Sequence, residues 1–227
     1  MFTESSSCRF ADRSSAGTEL ARLMARRTWP PPVMVLGLPR GGVPVAEPIA
    51  RALGAPLDVM VVRKIGLPSQ PELAIGAIAS GGIVVREPRF VDERGEADDE
   101  TFERLVREQR VELERREHVY RAGLPPLDLS GRTVILVDDG LATGSTMLAA
   151  VRAAQRARAA MVVVAVPVAS ADAAHRLERV ADELIVLEIA QTMVAVGQWY
   201  DRFEQLEDAE VCRWLDLRDR GAGPSGS

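Results

Sequence analysis

Apolar and polar residues follow two alternating periodicities along the chain. Five short aliphatic runs are typical of buried strands: 33–38, 57–62, 133–137, 161–166 and 183–187. Five longer stretches have apolar residues at helical spacing and predict helices: 10–27, 43–53, 98–121, 145–157 and 171–180. Because strands alternate with helices, we expect an α/β fold with a doubly wound, mainly parallel sheet.

Two segments depart from this alternation. Residues 65–72 contain prolines, a glycine and polar groups, so they predict a mobile loop. Residues 74–79 and 83–85, joined by Ser80-Gly81-Gly82, predict a hairpin. The glycine- and serine-rich tail at 221–227 is expected to be disordered.

The composition bounds the classes of protein to consider. A chain of 227 residues suits one domain, which we expect over residues 1–220. No apolar run approaches membrane-spanning length, and the first residues lack the features of a secretory signal, so a cytoplasmic protein is expected. The net charge of −5 argues against a dedicated nucleic-acid surface. Cys8 and Cys212 have no metal-ligand spacing.

The segment 133–147, TVILVDDGLATGSTM, carries the clearest chemical pattern. An aliphatic strand ends in Asp138 and Asp139, at the edge where an open α/β sheet binds its ligand. A glycine-containing loop then leads into a helix, whose N-terminal amides and nearby hydroxyls favour a phosphate. Carboxylates beside a phosphate cradle fit a phosphorylated sugar, with the acids accepting from ribose hydroxyls.

Two other interpretations of this segment are weaker. A Walker A loop needs a lysine before its final Ser/Thr, and GLATGST has none. The alternative is a strand that ends in a solvated acidic turn, with Ser145 capping the following helix.

A second glycine-containing turn, LPRGGVP at 38–44, directly follows the first strand. Arg40, Gly41 and Gly42 should therefore lie at the same edge of the sheet, where two glycines permit close approach to an anion. The alternative is an ordinary turn that enters a helix.

These motifs resemble those of the type I phosphoribosyltransferases over most of residues 33–203. The resemblance implies the family's fold, with a small hood at about 188–215 plus the N-terminal helix around a core at about 33–190. It implies that Asp138 and Asp139 bind the ribose hydroxyls of phosphoribosyl pyrophosphate (PRPP). The 5-phosphate would be held by the residues of the following loop: Gly140, Ala142, Thr143, Gly144, Ser145 and Thr146.

The resemblance also assigns a pyrophosphate site. Arg40, Gly41 and Gly42 match the family's pyrophosphate loop, which commonly contains a non-proline cis peptide. Arg63 and Lys64 precede the predicted mobile loop, and basic residues near that loop in the family neutralise the leaving pyrophosphate. Lys64 is the only lysine among 28 basic residues, which indicates a need for a compact ammonium there. A surface pair at the end of a strand is the alternative.

The segment AVGQWYDRF at 195–203 resembles the hood of hypoxanthine-guanine phosphoribosyltransferases. Asp201 matches the acid that helps to bind magnesium and pyrophosphate there, while Val194 replaces the aromatic residue that stacks on the purine. Trp199 and Tyr200 contact the base or form part of the hood core. Ala142 replaces the aspartate that acts on 6-oxopurines, so hypoxanthine and guanine are disfavoured and adenine is permitted.

The expected function is a Mg²⁺-dependent transfer of the phosphoribosyl group from PRPP to a small nitrogenous acceptor. Asp138, Asp139, Lys64 and Arg40 are the candidate catalytic residues, and both aspartates would reach the metal through ribose or water. A homodimer is a family expectation. The first alternative is a PRPP-binding regulator of the same fold, and the second is a phosphatase- or receiver-like protein with a magnesium-binding acid pair.

Overall fold

The computed structural model of the protein describes residues 9–67, 70–86 and 99–216. Its strands are β1 (Val33–Gly37), β2 (Leu57–Val59), β3 (Val62–Leu67), β4 (Gln70–Ala79), β5 (Ile83–Arg86), β6 (Thr133–Val137), β7 (Met161–Ser170) and β8 (Glu183–Ala190). Its helices are α1 (Arg13–Met24), α2 (Gly42–Leu53), α3 (Asp99–Arg121), α4 (Ser145–Arg156), α5 (Ala171–Glu178) and α6 (Asp208–Asp216).

Five strands form the main sheet in the order β2-β1-β6-β7-β8, and every pair is parallel. The chain proceeds outward from β1 to β2, and later from β6 to β7 and β8 in the opposite direction. The strand order therefore reverses between β1 and β6, which is where doubly wound sheets form their ligand crevice. The predicted α/β class and parallel sheet are confirmed.

The main sheet is buried on both faces because its strands alternate between two cores. Val35 and Ile135 pack with α1 and α2 on one face, whereas Leu36 and Leu136 pack with α4 and α5 on the other. Burial on both faces explains why these strands are continuous aliphatic runs rather than alternating ones.

The order β3-β4-β5 defines a second, antiparallel sheet. It corrects two predictions. The strand expected over 57–62 ends at Val59, and Val62 begins a strand of the other sheet. The mobile loop expected over 65–72 is mostly strand, since β3 continues to Leu67 and β4 begins at Gln70. The buried side chains of Ile65 and Leu67 pack into the core, and this burial outweighs the local turn preference.

The remaining predicted strands and helices agree with the structure in type and differ in their ends. β7 and β8 extend to Ser170 and Ala190, beyond the predicted ends. The region expected to form the hood contains a short 3₁₀ turn, Val196–Trp199, and α6. The tail expected to be disordered lies outside the described residues. Within the described ranges, no helix combines the length and apolar character needed to cross a membrane.

Candidate functional site

Two predicted site loops begin side by side at the reversal of strand order. Gly37 and Val137 are partners in the parallel ladder, and the N–H of Leu38 donates to the carbonyl of Val137 over 2.8 Å. The turn after β1 and the acids after β6 therefore leave the sheet together. The register of β1 and β6 therefore brings together the two loops that the predicted site requires.

Asp138 and Asp139 form a closely spaced pair with little solvent around it. The N–H of Asp139 donates to Oδ1 of Asp138 over 2.9 Å. Burial, followed by the neighbouring Asp139 charge, raises the pKa of Asp138 well above its usual value. Burial also raises the pKa of Asp139, against an opposing effect of Arg13. Such a pair gains stability from hydroxyl donors or a cation, and it is unlike the solvated acidic turn considered above.

The loop after the acids turns its carbonyls away from the crevice. The hydroxyl of Ser170 donates to the carbonyl of Ala142 over 2.7 Å, and Arg176 donates to the carbonyl of Thr143. Gly144, at φ 67°, precedes α4, and the hydroxyl of Thr143 accepts from the N–H of Ser145, the first residue of this helix, over 3.4 Å. The first amides of a helix lack intrahelical partners, so they can receive an anion. Ser145 is thus the first helical residue rather than the cap of a structural turn.

The turn after β1 needs both of its glycines. The peptide bond between Pro39 and Arg40 is cis, as the resemblance implied for this loop. A Cβ on Gly41 would lie 1.9 Å from Oδ2 of Asp139, and one on Gly42 would lie 2.4 Å from the carbonyl oxygen of Val137. Contact between the turn and the acids is therefore possible only without side chains at these positions.

The two basic residues on β3 face different partners. Lys64 Nζ lies 3.5 Å from Oγ of Ser145, where the predicted phosphate loop enters α4. Arg63 instead donates from Nε and Nη2 to Oε1 of Gln109 on α3, over 3.2 and 3.0 Å. Successive residues of a strand point to opposite sides, so the structure brings Lys64, but not the Arg63 guanidinium, to this loop.

Residues 199–203 combine packing with one contact to the site. Tyr200 is buried between Phe10 and Phe203, with ring centroids 5.5 and 5.0 Å away, and its hydroxyl donates to the carbonyl of Asp139 over 2.6 Å. Burial raises the pKa of this phenol. Asp201 is exposed, and its N–H donates to the carbonyl of Phe10 over 2.9 Å. Val194 is 86% exposed.

Sequence reasoning missed Arg13. Its Nε donates to Oδ2 of Asp139 over 2.8 Å, and its guanidinium lies 3.8 Å from the ring centre of Phe203. It also lines a cavity of about 310 Å³ beside the predicted pyrophosphate turn. The other lining residues are Arg40, Gly41, Phe203, Glu204, Gln205 and Leu206. No local pattern distinguishes Arg13 from the many other arginines, since its partner is 126 positions away.

Comparison with known proteins agrees with this geometry. The family model described as "Phosphoribosyl transferase domain" matches residues 16–201. Two curated proteins of Mycobacterium tuberculosis, from strains CDC 1551 and H37Rv, carry the name "Putative phosphoribosyl transferase". Each is 44% identical to this chain over 219 residues, covering 96% of this chain and 49% of the relative. The chain thus spans about half the length of the curated relatives it matches.

A solved structure shares the fold closely. The crystal structure of the protein TT1426 from Thermus thermophilus superposes with a TM-score of 0.83 at 43% identity. The match covers 91% of this chain and 97% of that one. The similarity therefore extends beyond the two site loops to the whole arrangement of strands and helices.

Proposed function

This chain belongs to the phosphoribosyltransferase family, and we propose that it transfers the 5-phosphoribosyl group of PRPP to a small nitrogenous acceptor, releasing pyrophosphate. One observation carries the proposal: the turn containing Gly41 lies directly against Asp139, beside the loop that leads into α4. Groups suited to a sugar, a phosphate and a second anion thus converge at one edge of the sheet.

Asp138 and Asp139 bind the 2- and 3-hydroxyls of the ribose in this proposal. Both carboxylates are largely withdrawn from water, and the pKa values of both are raised mainly by burial. Hydroxyl donors replace the lost water in stabilising their charge. The acids thereby orient the sugar ring and its C1 atom for reaction.

Gly140 and residues 142–146 hold the 5-phosphate in this proposal. The Ala142 and Thr143 carbonyls are bound by groups from β7 and α5, so they do not compete with the phosphate. The amides of the first turn of α4 and the hydroxyls of Ser145 and Thr146 provide the donors. Binding at this end fixes the distance from the phosphate to C1.

The leaving pyrophosphate lies at Arg40, Gly41 and Gly42 in this proposal, and Lys64, whose ammonium lies near Ser145, adds a second positive charge. The C1–O bond breaks as the acceptor nitrogen bonds to C1, with inversion at that carbon. A transition state resembling an oxocarbenium ion forms more easily when positive groups stabilise the departing negative charge. Arg63 is predicted to add to the local positive potential, although its guanidinium is bound to Gln109.

The donor set suits a magnesium ion bound mainly by substrate and water. Asp138 and Asp139 offer adjacent carboxylates, and the described part of the chain contains no group of three or more His, Cys, Asp or Glu residues that could hold a metal. Mg²⁺ commonly keeps several waters and uses substrate oxygens with one or two carboxylates. We propose that both acids hold it through ribose or water, with Asp201 reaching it through pyrophosphate or water. When bound, the ion supplies electrophilic stabilisation of the pyrophosphate.

The acceptor is a small nitrogenous base or another amine. Ala142 has no carboxylate that could act as a base toward a 6-oxopurine, which disfavours hypoxanthine and guanine. The exposed Val194 offers no aromatic face for stacking. Action in the cytoplasm and assembly as a homodimer remain predictions.

The decisive experiment separates binding from turnover. Calorimetry with PRPP and magnesium should show binding that is weakened by Asp139→Asn. Pyrophosphate release should then be measured with a panel of purines, pyrimidines and simple amines. Release with one acceptor supports the enzyme, binding without release across the panel supports the regulator, and no binding of PRPP contradicts both.

A further inference from the structure

The strongest unassigned feature of the molecule is the side chain of Arg13, the first residue of α1. It is 11% exposed and bridges two parts of the chain. Nε donates to Oδ2 of Asp139 over 2.8 Å, while Nη1 donates to the carbonyl of Glu204 over 2.9 Å. One planar group thus holds the carboxylate and the wall of the cavity at once.

The backbone of Arg13 is held in place by the capping of α1. Asp12 caps α1 by accepting from the N–H of Ser15 over 2.8 Å, and the hydroxyl of Ser15 accepts from the N–H of Asp12 over 2.9 Å. The adjoining segment bridges to Tyr200 through Phe10. These contacts determine where α1 begins, and hence the direction from which Arg13 approaches the acid.

The far end of the side chain is fixed as well. The guanidinium lies 3.8 Å from the ring centre of Phe203, close enough for a cation–π contact. The ring of Tyr200 stacks on Phe203 at 5.0 Å, and the Tyr200 hydroxyl donates to the carbonyl of Asp139. Asp139 is therefore held through its main chain by Tyr200 and through its side chain by Arg13.

This arrangement gives the two oxygens of the Asp139 carboxylate different surroundings. Among the described residues, the hydrogen bond and ion pair of this side chain both involve Oδ2. Oδ2 also faces the backbone of Gly41. Oδ1 is left for a ribose hydroxyl. A guanidinium suits this role because its planar fork fixes direction as well as charge.

We propose that Arg13 is a positioning residue for phosphoribosyl transfer, which holds Asp139 by Oδ2 so that Oδ1 faces the ribose. The inference rests on the proposed function. Arg13 acts through Asp139, and its contacts with Phe203 and Glu204 tie the acid to the wall of the neighbouring cavity. Partners that orient the ligands of a metal site typically contribute about 10- to 100-fold in affinity or activity, and we expect a contribution of this size from Arg13.

A double-mutant cycle tests this role by calorimetry with PRPP and magnesium. Arg13→Gln should weaken PRPP binding by about 10- to 100-fold. In an Asp139→Asn background, the same change should alter PRPP binding by less than about twofold, because the contact it removes is already impaired. Arg104→Gln is the matched control: this exposed arginine pairs with Glu108 on the same helix, α3, and should leave PRPP affinity unchanged.

The outcomes separate the inference from the proposed function. If the unaltered protein binds PRPP and Arg13→Gln binds it equally well, the positioning role is overturned while the function stands. Equal losses in both backgrounds also overturn it, since Arg13 would then not act through Asp139. If the unaltered protein does not bind PRPP, both fail.

A folding defect would not hide the result. Arg13→Lys keeps the positive charge but cannot donate to Asp139 and Glu204 with the same fork. In the protein with the native Asp139, Arg13→Lys should lose an intermediate amount of PRPP affinity. In the Asp139→Asn background, the same change should have little effect. A full retention of affinity in Arg13→Lys shows that charge alone suffices and contradicts positioning by the fork.

Discussion

Asp139 lies so close to Gly41 that a methyl group on the glycine would penetrate its carboxylate. The distance from an ideal Cβ on Gly41 to Oδ2 of Asp139 is 1.9 Å, well inside van der Waals contact. The residues belong to the turns after β1 and β6, which are adjacent parallel strands. Parallel pairing thus places the predicted pyrophosphate turn and the ribose acids in direct contact.

We expect Gly41→Ala to destabilise the protein by about 1 to 3 kcal/mol, as overpacking of a filled site commonly does. The turn or the acid must move, so PRPP affinity should fall too. Urea unfolding and calorimetry measure the two effects. Asp139→Ala removes the clashing carboxylate, so the destabilisation by Gly41→Ala should shrink in that background. An unchanged difference in the free energy of unfolding would show that the clash lies elsewhere.

Asp138→Asn should stabilise the fold and weaken the site. The Asp138 carboxylate is partly buried beside another acid, and this burial, followed by the Asp139 charge, raises its pKa. Asparagine keeps the shape and an acceptor oxygen while removing the charge, so the free energy of unfolding at neutral pH should rise. PRPP binding should weaken because a neutral amide accepts less strongly from ribose hydroxyls. A variant that is less stable than the unaltered protein would contradict the electrostatic argument.

Asp12 provides a test of pH dependence away from the acid pair. A hydrogen bond from the N–H of Ser15, and then the pairing with Arg202, lowers the pKa of Asp12. A lowered folded-state pKa contributes stability above the unfolded value of about 3.8, and this contribution is lost as the pH falls through the folded value. Asp12→Asn should retain the cap and cost less than about 1 kcal/mol at pH 7, because the pair is partly exposed.

The measurement for Asp12 is urea unfolding of both proteins at pH 7 and below pH 3.8. The difference in free energy of unfolding between them should diminish at the lower pH. A difference that stays constant with pH would show that the charge of Asp12 contributes nothing to the free energy of unfolding.

The sequence predicted well which residues gather at the edge between β1 and β6, because the determinants of this arrangement are local. Asp138 and Asp139 directly follow an aliphatic strand, and Gly41 closely follows another. Once the sheet is recognised as doubly wound, adjacent strand ends bring such residues together without any knowledge of distant contacts.

The features that sequence reasoning missed depend on distant pairing. Ile65 belongs to a strand because it pairs with Gly76 and is buried, although the prolines around it favour a loop. The contact of Arg13 with Asp139 joins residues 126 positions apart. Turn composition and helical periodicity are local, so neither could reveal these relationships.

The final prediction uses the opposite directions of Arg63 and Lys64. Lys64→Ala removes the exposed ammonium 3.5 Å from Ser145, so kcat should fall by about 100-fold, as it does when one stabilising donor is lost. The thermal midpoint should hardly change, because the side chain is exposed. Arg63→Ala is the neighbouring control: it removes the contact with Gln109 and should affect kcat far less. Steady-state kinetics with PRPP decide the matter, and a larger loss in Arg63→Ala than in Lys64→Ala would reverse the assignment of the two side chains.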